Sequence, residues 1–280
     1  MHQALYQHAI GLIARLLQER TGQIISEDRR WRIDRAIETV LRKRGVSRSD
    51  DILTLLTQPD SAAVEHELIE ALLNNETYFF RDRQVFTQIA RMILPALRQA
   101  RAHTRHLRIW SAGCSTGQEP LSLAMMLIEE GITPTQGWTV DLIATDVSRV
   151  AIDAARMGTY SRFEIQRGLG VGQMLQHFVE TEDGWQAGRP ILGMVHYQVA
   201  NLLEGPAPGP PFDLILCRNL MLYFDENAKR NVCERLRASL APHGRLLLGG
   251  GEGTLDRSTG LIPAAHETAL YRAADRAFAA

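Results

Sequence analysis

The sequence predicts an all-α N-terminal segment followed by a doubly wound α/β sheet, on three observations. Residues from about 3 to 73 carry apolar positions at helical spacing and no strand signal. From about residue 105, short apolar runs alternate with amphipathic ones, the pattern of a parallel sheet with crossover helices. Between the first such run and its helix lies a turn of small residues, Ser111, Ala112, Gly113, Cys114, Ser115, Thr116 and Gly117.

In the helical part, Ile10, Ile13, Leu16 and Leu17 form one stripe. A second helix is expected after Ser26, with Ser26 as its cap and Glu27 and Asp28 in its acidic first turn. It runs to about Arg44, where Gly45 stops it. Two shorter helices follow at 49–57 and 61–73, separated by Pro59. In the α/β part, strand-like and helix-like runs alternate at 107–110, 121–130, 140–145 and 150–157, then at 212–217, 226–240 and 245–249. Leu214, Ile215, Leu216 and Cys217, like Leu246, Leu247 and Leu248, are continuous apolar runs, as strands covered on both faces require. Between Arg162 and Leu203 the alternation breaks. A helix-like piece at 172–179 and a hairpin turning at Ala187, Gly188 and Arg189 are expected there. The organisation is therefore an N-terminal helical domain (1–74), a linker and lid segment (75–104), and an α/β domain (105–280) with a small subdomain inserted at about 163–200.

Composition narrows the function. With 280 residues, 45% hydrophobic and 22% charged, the chain reads as a globular protein. A net charge of −1 gives no global steering, which disfavours nucleic acid as a partner. Cys114, Cys217 and Cys233 are too few and too scattered for a disulfide framework or a metal site. The N-terminus lacks a signal-peptide pattern, and no apolar run approaches ~18 residues. A cytoplasmic location without membrane insertion is expected.

The turn at Gly113 carries the first chemical clue. Small residues there let a ligand approach the backbone. No Gly-Lys-Ser/Thr follows, the glycine spacing is not a dinucleotide fingerprint, and Glu119 makes a poor host for pyrophosphate. It is a better host for a cationic nucleoside such as S-adenosylmethionine, with Asp146, at the end of the next strand, accepting the ribose hydroxyls. The loop by itself equally reads as an ordinary βα turn, Glu119 as a dipole-complementing acid, and Asp146 as a loop cap.

Four motifs then resemble the chemotaxis receptor methyltransferase (CheR) family. They are Asn75-Glu76-Thr77-Tyr78-Phe79-Phe80-Arg81, the run from Trp110 to Pro120, Ala144-Thr145-Asp146, and Cys217-Arg218-Asn219 leading to Tyr223-Phe224. They stand in family order across about 74–252. The resemblance implies a Rossmann-like class I S-adenosylmethionine-dependent methyltransferase sheet. The implied reaction is methylation of receptor glutamates, with S-adenosylhomocysteine as product. It implies cofactor contacts from Asn75, Thr77, Arg81, Gly113, Glu119, Asp146, Asn201, Leu202, Arg218 and Asn219, and catalytic roles for Tyr223 and Arg81. The family also uses an arginine ahead of the first strand, and no motif chooses between Arg98 and Arg101. Two features depart from the family pattern. Gly249-Gly250-Gly251-Glu252 stands where many members have Gly-His-Ser-Glu, and the insertion is shorter than the type that grips a receptor-tail pentapeptide. The segment from Phe163 to Leu169 resembles a subgroup independent of that tether. Arg32, Arg35, Arg42 and Lys43 fall on one side of the second helix. That side reads as a solvated face or, by resemblance, as a surface for the cytoplasmic helical region of chemoreceptors. Two rival readings stand beside the enzyme: a methyltransferase with another acceptor, and a non-catalytic cofactor-binding signalling module.

Overall fold

The computed structural model describes residues 2–46, 51–252, 255, 259–264 and 269–274. They form two compact units. One comprises the N-terminal segment to Asn74 together with Tyr223–Lys229, and the other comprises Asn75–Leu222 and the chain from Arg230 onward.

The first unit is built on α1 (His2–Thr21), α2 (Trp31–Lys43), α3 (Asp51–Leu56) and α4 (Ser61–Leu72). Ile33, Ala36, Ile37, Val40 and Leu41 of α2 are buried at one-face spacing, facing a core that includes Val64, Leu68 and Leu72 of α4. Each such Ile or Leu contributes about 1.5–3 kcal/mol on burial. The start of α2 differs from expectation. Ser26 makes no side-chain cap; Glu27–Arg29 winds as a 3-10 turn and the α-helix begins at Trp31. The free N–H groups of Arg29 and Arg30 close instead on the carbonyls of Ser26 and Glu27, so no capping oxygen is needed. Its end is as expected: Gly45, at φ +69°, lets the Val46 N–H reach the Leu41 carbonyl at 2.9 Å. The start expected for α3 at residue 49 lies outside the described residues. The remote segment Tyr223–Lys229 joins this unit through an antiparallel bridge between Gln23 and Phe224, and through the Ile24 N–H on the Tyr223 carbonyl at 2.7 Å.

In the second unit, residues 75–104 are part of the folded body. Phe79, Phe86, Ile89, Ile93, Leu94 and Leu97 are all buried in its core. The helical stretch α5 (Arg83–Gln88) passes through a π turn at Ile89–Ile93 into α6 (Leu94–Ala100). Pro95 lacks the N–H that a regular ladder would use, and the backbone widens just ahead of it. The main sheet has seven strands: β1 (His106–Ala112), β2 (Thr139–Asp146), β6 (Val195–Val199), β7 (Phe212–Cys217), β8 (Leu240–Leu248), β9 (Leu261–Pro263) and β10 (Leu270–Ala273). Their order is β6-β2-β1-β7-β8-β10-β9, parallel from β6 through β8 and antiparallel at β10 and β9. α7 (Gln118–Glu129), α8 (Arg149–Met157) and α12 (Glu226–Ala238) follow strands β1, β2 and β7. Successive strands run outward from β1 in one direction and return at β7, so the switch point of the sheet lies beyond the C-terminal ends of β1 and β7.

The insertion differs from its expected bounds of 163–200. A second, antiparallel sheet, β3-β5-β4, uses β3 (Thr159–Tyr160), β4 (Phe178–Thr181) and β5 (Gly184–Ala187). Its hairpin turns at Glu182 and Asp183, with the positive-φ Gly184 opening β5, rather than at Ala187-Gly188-Arg189. Gly188 instead opens the short helix α11 (Arg189–Leu192). Two helices, α9 (Arg162–Gln166) and α10 (Val171–His177), lie between β3 and β4. Val195–Val199 belongs to the main sheet beside β2. As an edge strand it buries Val195 and Tyr197 and exposes His196 and Gln198 between them. It therefore lacks the continuous apolar run that marks the inner strands.

At the start of β7, Asp213 is fully buried and accepts from Arg101, from His243 Nε2 at 2.6 Å and from the Arg108 N–H at 2.8 Å. Arg101 is thereby committed at the far end of the sheet from the switch point, and Arg98 donates to the Glu130 carbonyl. Neither is placed for catalysis. Removing one partner of a buried charge cluster leaves the others uncompensated. Asp213→Ala is expected to cost about 3 kcal/mol in urea unfolding. Asp153→Ala, which breaks the exposed pair with Arg156, is expected to cost less than about 0.5 kcal/mol.

Candidate active site

The C-terminal ends of β1, β2, β6 and β7 carry Gly113, Asp146, Asn201, Leu202, Arg218 and Asn219 among the residues that the motifs singled out. Gly113 follows β1 at φ +81° and donates its N–H to the Thr145 carbonyl, locking the turn to the end of β2. Its missing side chain faces Leu220, whose Cδ2 lies 3.1 Å from where a Cβ would stand. Close packing of the two loops is thus one reason for glycine at that position. Asp146, at the end of β2, takes the Ser115 N–H on one carboxylate oxygen at 2.8 Å and the Ser148 N–H on the other at 2.9 Å. Asn201 and Leu202 follow β6. The Ala200 N–H bonds the Asp146 carbonyl at 2.9 Å, and Asn201 Oδ1 accepts from the Leu203 N–H at 3.0 Å.

Arg218, at the end of β7, holds the centre. Its side chain is 1% exposed. Its guanidinium donates to Glu119 at 3.0 Å, to Asp82 at 2.6 Å and to the Arg81 carbonyl at 2.8 Å. Glu119 also accepts from Ser111 Oγ at 2.8 Å. Glu119, in the first turn of α7, is therefore a fixed carboxylate. Asp82 was not singled out from the sequence; its position directly after Arg81 was the available signal. Asn219 follows in the left-handed region at φ 59°.

Residues 75–82 run past this cluster. The Asn75 carbonyl accepts from Ser115 Oγ at 2.7 Å, Thr77 is half-buried, and Arg81 donates to the Glu76 carbonyl while stacking 5.6 Å from the Tyr78 ring. Phe79 is fully buried against Tyr160 and Phe178 as a core residue. The insertion clasps this segment from outside. Arg167 pairs with Glu76 at 2.8 Å and lies 4.3 Å over the Tyr78 ring, holding the Glu76 carboxyl below the usual carboxylate range through that hydrogen bond and charge. Gly168, at φ +97°, leaves no room for a side chain: a Cβ there would stand 1.7 Å from the Phe79 carbonyl oxygen.

Electrostatically the cluster sets three carboxylates, Asp82, Glu119 and Asp146, against two guanidiniums, Arg81 and Arg218. The one net negative charge suits a cationic ligand, and a fixed carboxylate at the end of β2 suits a nucleoside, so the residues fit S-adenosylmethionine. Burial pushes the Cys114 and Cys217 thiols well above their ordinary range, and Cys233 up to about 11. All three stay neutral, which removes them as nucleophiles. Tyr223 belongs to the other unit, where its hydroxyl accepts from Asn74 Nδ2 and Arg32 lies nearby. Asn74, ahead of the first motif, was also not singled out from the sequence.

The clasp makes a direct prediction. Gly168→Ala must displace the 75–82 segment, so it is expected to weaken S-adenosylmethionine binding about tenfold or more by calorimetry. Gly172→Ala, where an added Cβ meets nothing within 4 Å, is expected to bind as wild type.

The chain is 30% identical over 239 residues to chemotaxis protein methyltransferase 1 of Pseudomonas aeruginosa, covering 84% of this chain and 86% of that one. It is 31% identical over 244 residues to chemotaxis protein methyltransferase 1 of Vibrio cholerae, covering 85% and 86%. It is 35% identical over 254 residues to the probable biofilm formation methyltransferase WspC of Pseudomonas aeruginosa, covering 89% of this chain and 58% of that longer one. The family model for the CheR methyltransferase S-adenosylmethionine-binding domain matches residues 75–268, so it takes in the Arg81 segment, the Gly113 turn, Asp146 and Arg218 alike, and the chain belongs to the CheR methyltransferase family.

Proposed function

We propose that this protein methylates glutamate side chains on the cytoplasmic helical region of chemoreceptors, producing glutamyl methyl esters and S-adenosylhomocysteine. The observation that carries the reading is the family match laid over a site with two fixed carboxylates, Glu119 in the first turn of α7 and Asp146 at the end of β2. Relatives named as chemotaxis protein methyltransferases support the acceptor class. The WspC relative concerns biofilm formation, and the proposed chemistry is the same in either setting. Among the described residues no helix is long and apolar enough to cross a membrane, which fits an enzyme working in the cytoplasm.

Bound S-adenosylmethionine supplies an electrophilic methyl group on a sulfonium. Asp146 takes the ribose hydroxyls, and Glu119, already fixed by Ser111 and Arg218, takes the ammonium. Asn201 and Leu202 flank the adenine, with Asn219 and Gly113 shaping the backbone around it. Asn75 and Thr77 close the methionyl end, and Arg81 supplies the countercharge to its carboxylate. An acceptor glutamate, with a pKa near ~4.3, is already ionised at neutral pH, so no general base is required. The protein must instead align the carboxylate and strip its water. Tyr223 does the aligning: Asn74 donates to its hydroxyl, which leaves the phenolic proton for the substrate carboxylate.

The docking face on α2 is narrower than its sequence pattern. Arg32 is turned onto the Leu72 carbonyl, and Lys43 pairs with Glu67 at 2.8 Å. Arg35, 5.8 Å from the Trp31 ring, and Arg42 are exposed. These two, with the half-exposed Trp31, form the proposed receptor surface.

Transfer of a labelled methyl group to chemoreceptor-rich membranes tests the reading. Base-labile label on the receptor band, lost in Asp146→Ala, is expected. Base-stable label, or label on RNA or small molecules, would favour another acceptor, and cofactor binding with no transfer to any acceptor would favour a binding module. Arg35→Glu is expected to lower receptor methylation about tenfold while leaving calorimetric cofactor binding unchanged. Tyr223→Phe is expected to lower kcat about a hundredfold with the same cofactor affinity.

A further inference from the structure

The segment that departs from the family pattern, Gly249-Gly250-Gly251-Glu252, holds a carboxylate that does more than end a strand. Glu252 Oε1 accepts the N–H groups of both Leu220 and Met221 at 2.8 Å, and Oε2 accepts the N–H of Gly249. The Asn219 amide is also directed at this carboxylate, and the Glu252 N–H returns to the Gly249 carbonyl at 3.1 Å. One side chain at the end of β8 thus gathers the backbone of the turn that follows β7. That turn carries Asn219 in its left-handed conformation, which a non-glycine residue keeps only when its surroundings hold it. The turn also carries Leu220, the residue packed against the Gly113 loop.

Gly249 is needed for the same assembly. A Cβ there would stand 2.9 Å from both the Asn219 nitrogen and Glu252 Oε2. At Gly250 and Gly251, by contrast, an added Cβ meets nothing within 4 Å. The His and Ser of other family members correspond to these open positions, so the departure leaves the carboxylate and its partners intact.

We propose that Glu252 is a positioning residue for the cofactor site: through its hydrogen bonds to the Leu220, Met221 and Gly249 amides it fixes the Asn219–Leu220 turn, and through Leu220 it sets the Gly113 turn. The proposal rests on the cofactor site alone and is independent of the acceptor. Glutamine is the informative substitution, because it keeps the shape of Glu252 but cannot accept at both ends. Either Oε1 serves Leu220 and Met221 while an amide NH2 confronts the Gly249 N–H, or the reverse.

The test is calorimetric titration with S-adenosylhomocysteine, at a temperature where circular dichroism shows every variant folded. Wild type is compared with Glu252→Gln, Gly249→Ala, Gly250→Ala and, as a destabilised reference from the opposite end of the sheet, Asp213→Ala. The proposal expects Glu252→Gln and Gly249→Ala to weaken binding about tenfold or more. It expects Gly250→Ala and Asp213→Ala to bind as wild type, even where Asp213→Ala melts at the lowest temperature. Should Glu252→Gln fail to fold, the comparison of Gly249→Ala with Gly250→Ala decides alone. Binding within about twofold of wild type in both Glu252→Gln and Gly249→Ala would overturn the proposal. Affinity that simply tracks melting temperature across the set, Asp213→Ala included, would overturn it too.

Discussion

The guanidinium of Arg218 is almost completely buried, and a buried cation persists only where anions and acceptors surround it. That constraint organises the site. Arg218 grows from the end of β7, reaches Glu119 at the start of α7, and binds Asp82 and the Arg81 carbonyl on the segment before α5. Three parts of the chain far apart in sequence are thus held by one side chain. The paired acids also outnumber the local cations, so the region attracts a sulfonium ligand although the protein as a whole is close to neutral.

This division between local and global charge explains how much of the function was legible. The motif around Gly113, the acid at Asp146 and the apolar inner strands could be read because each is contiguous and obeys a local rule. Leu214–Cys217 is a continuous apolar run because β7 is buried along its whole length. What was not legible depends on partners distant in sequence. Asp82 looks like any surface acid until Arg218 is placed beside it. Asn74 becomes informative only once Tyr223, 149 residues away, is brought to it. Arg101 sat in a plausible place for catalysis, but the buried Asp213 claims it.

The misread elements share one cause, competition between equivalent local solutions. Ser26 is a good capping residue, yet a 3-10 turn satisfied the same N–H groups. Ala187-Gly188-Arg189 has turn chemistry, but Gly188 was used to start α11 and the hairpin closed at Glu182 and Asp183. The edge strand β6 alternates buried and exposed residues, so it blended into the insertion. Similarly, the basic face of α2 counted charges correctly but could not show that Arg32 and Lys43 were already committed within their own unit.

The central claim is that Arg218 ties the Arg81-bearing segment to the sheet. Asp82→Asn removes one of its two anions while leaving the buried cation neutralised by Glu119. Hydrogen–deuterium exchange over residues 75–83, compared between this variant and wild type without cofactor, tests the claim most directly. The account predicts markedly faster exchange in that segment, with β7 and β8 unchanged. Unchanged exchange at 75–83, or an acceleration spread evenly over the sheet, would contradict it.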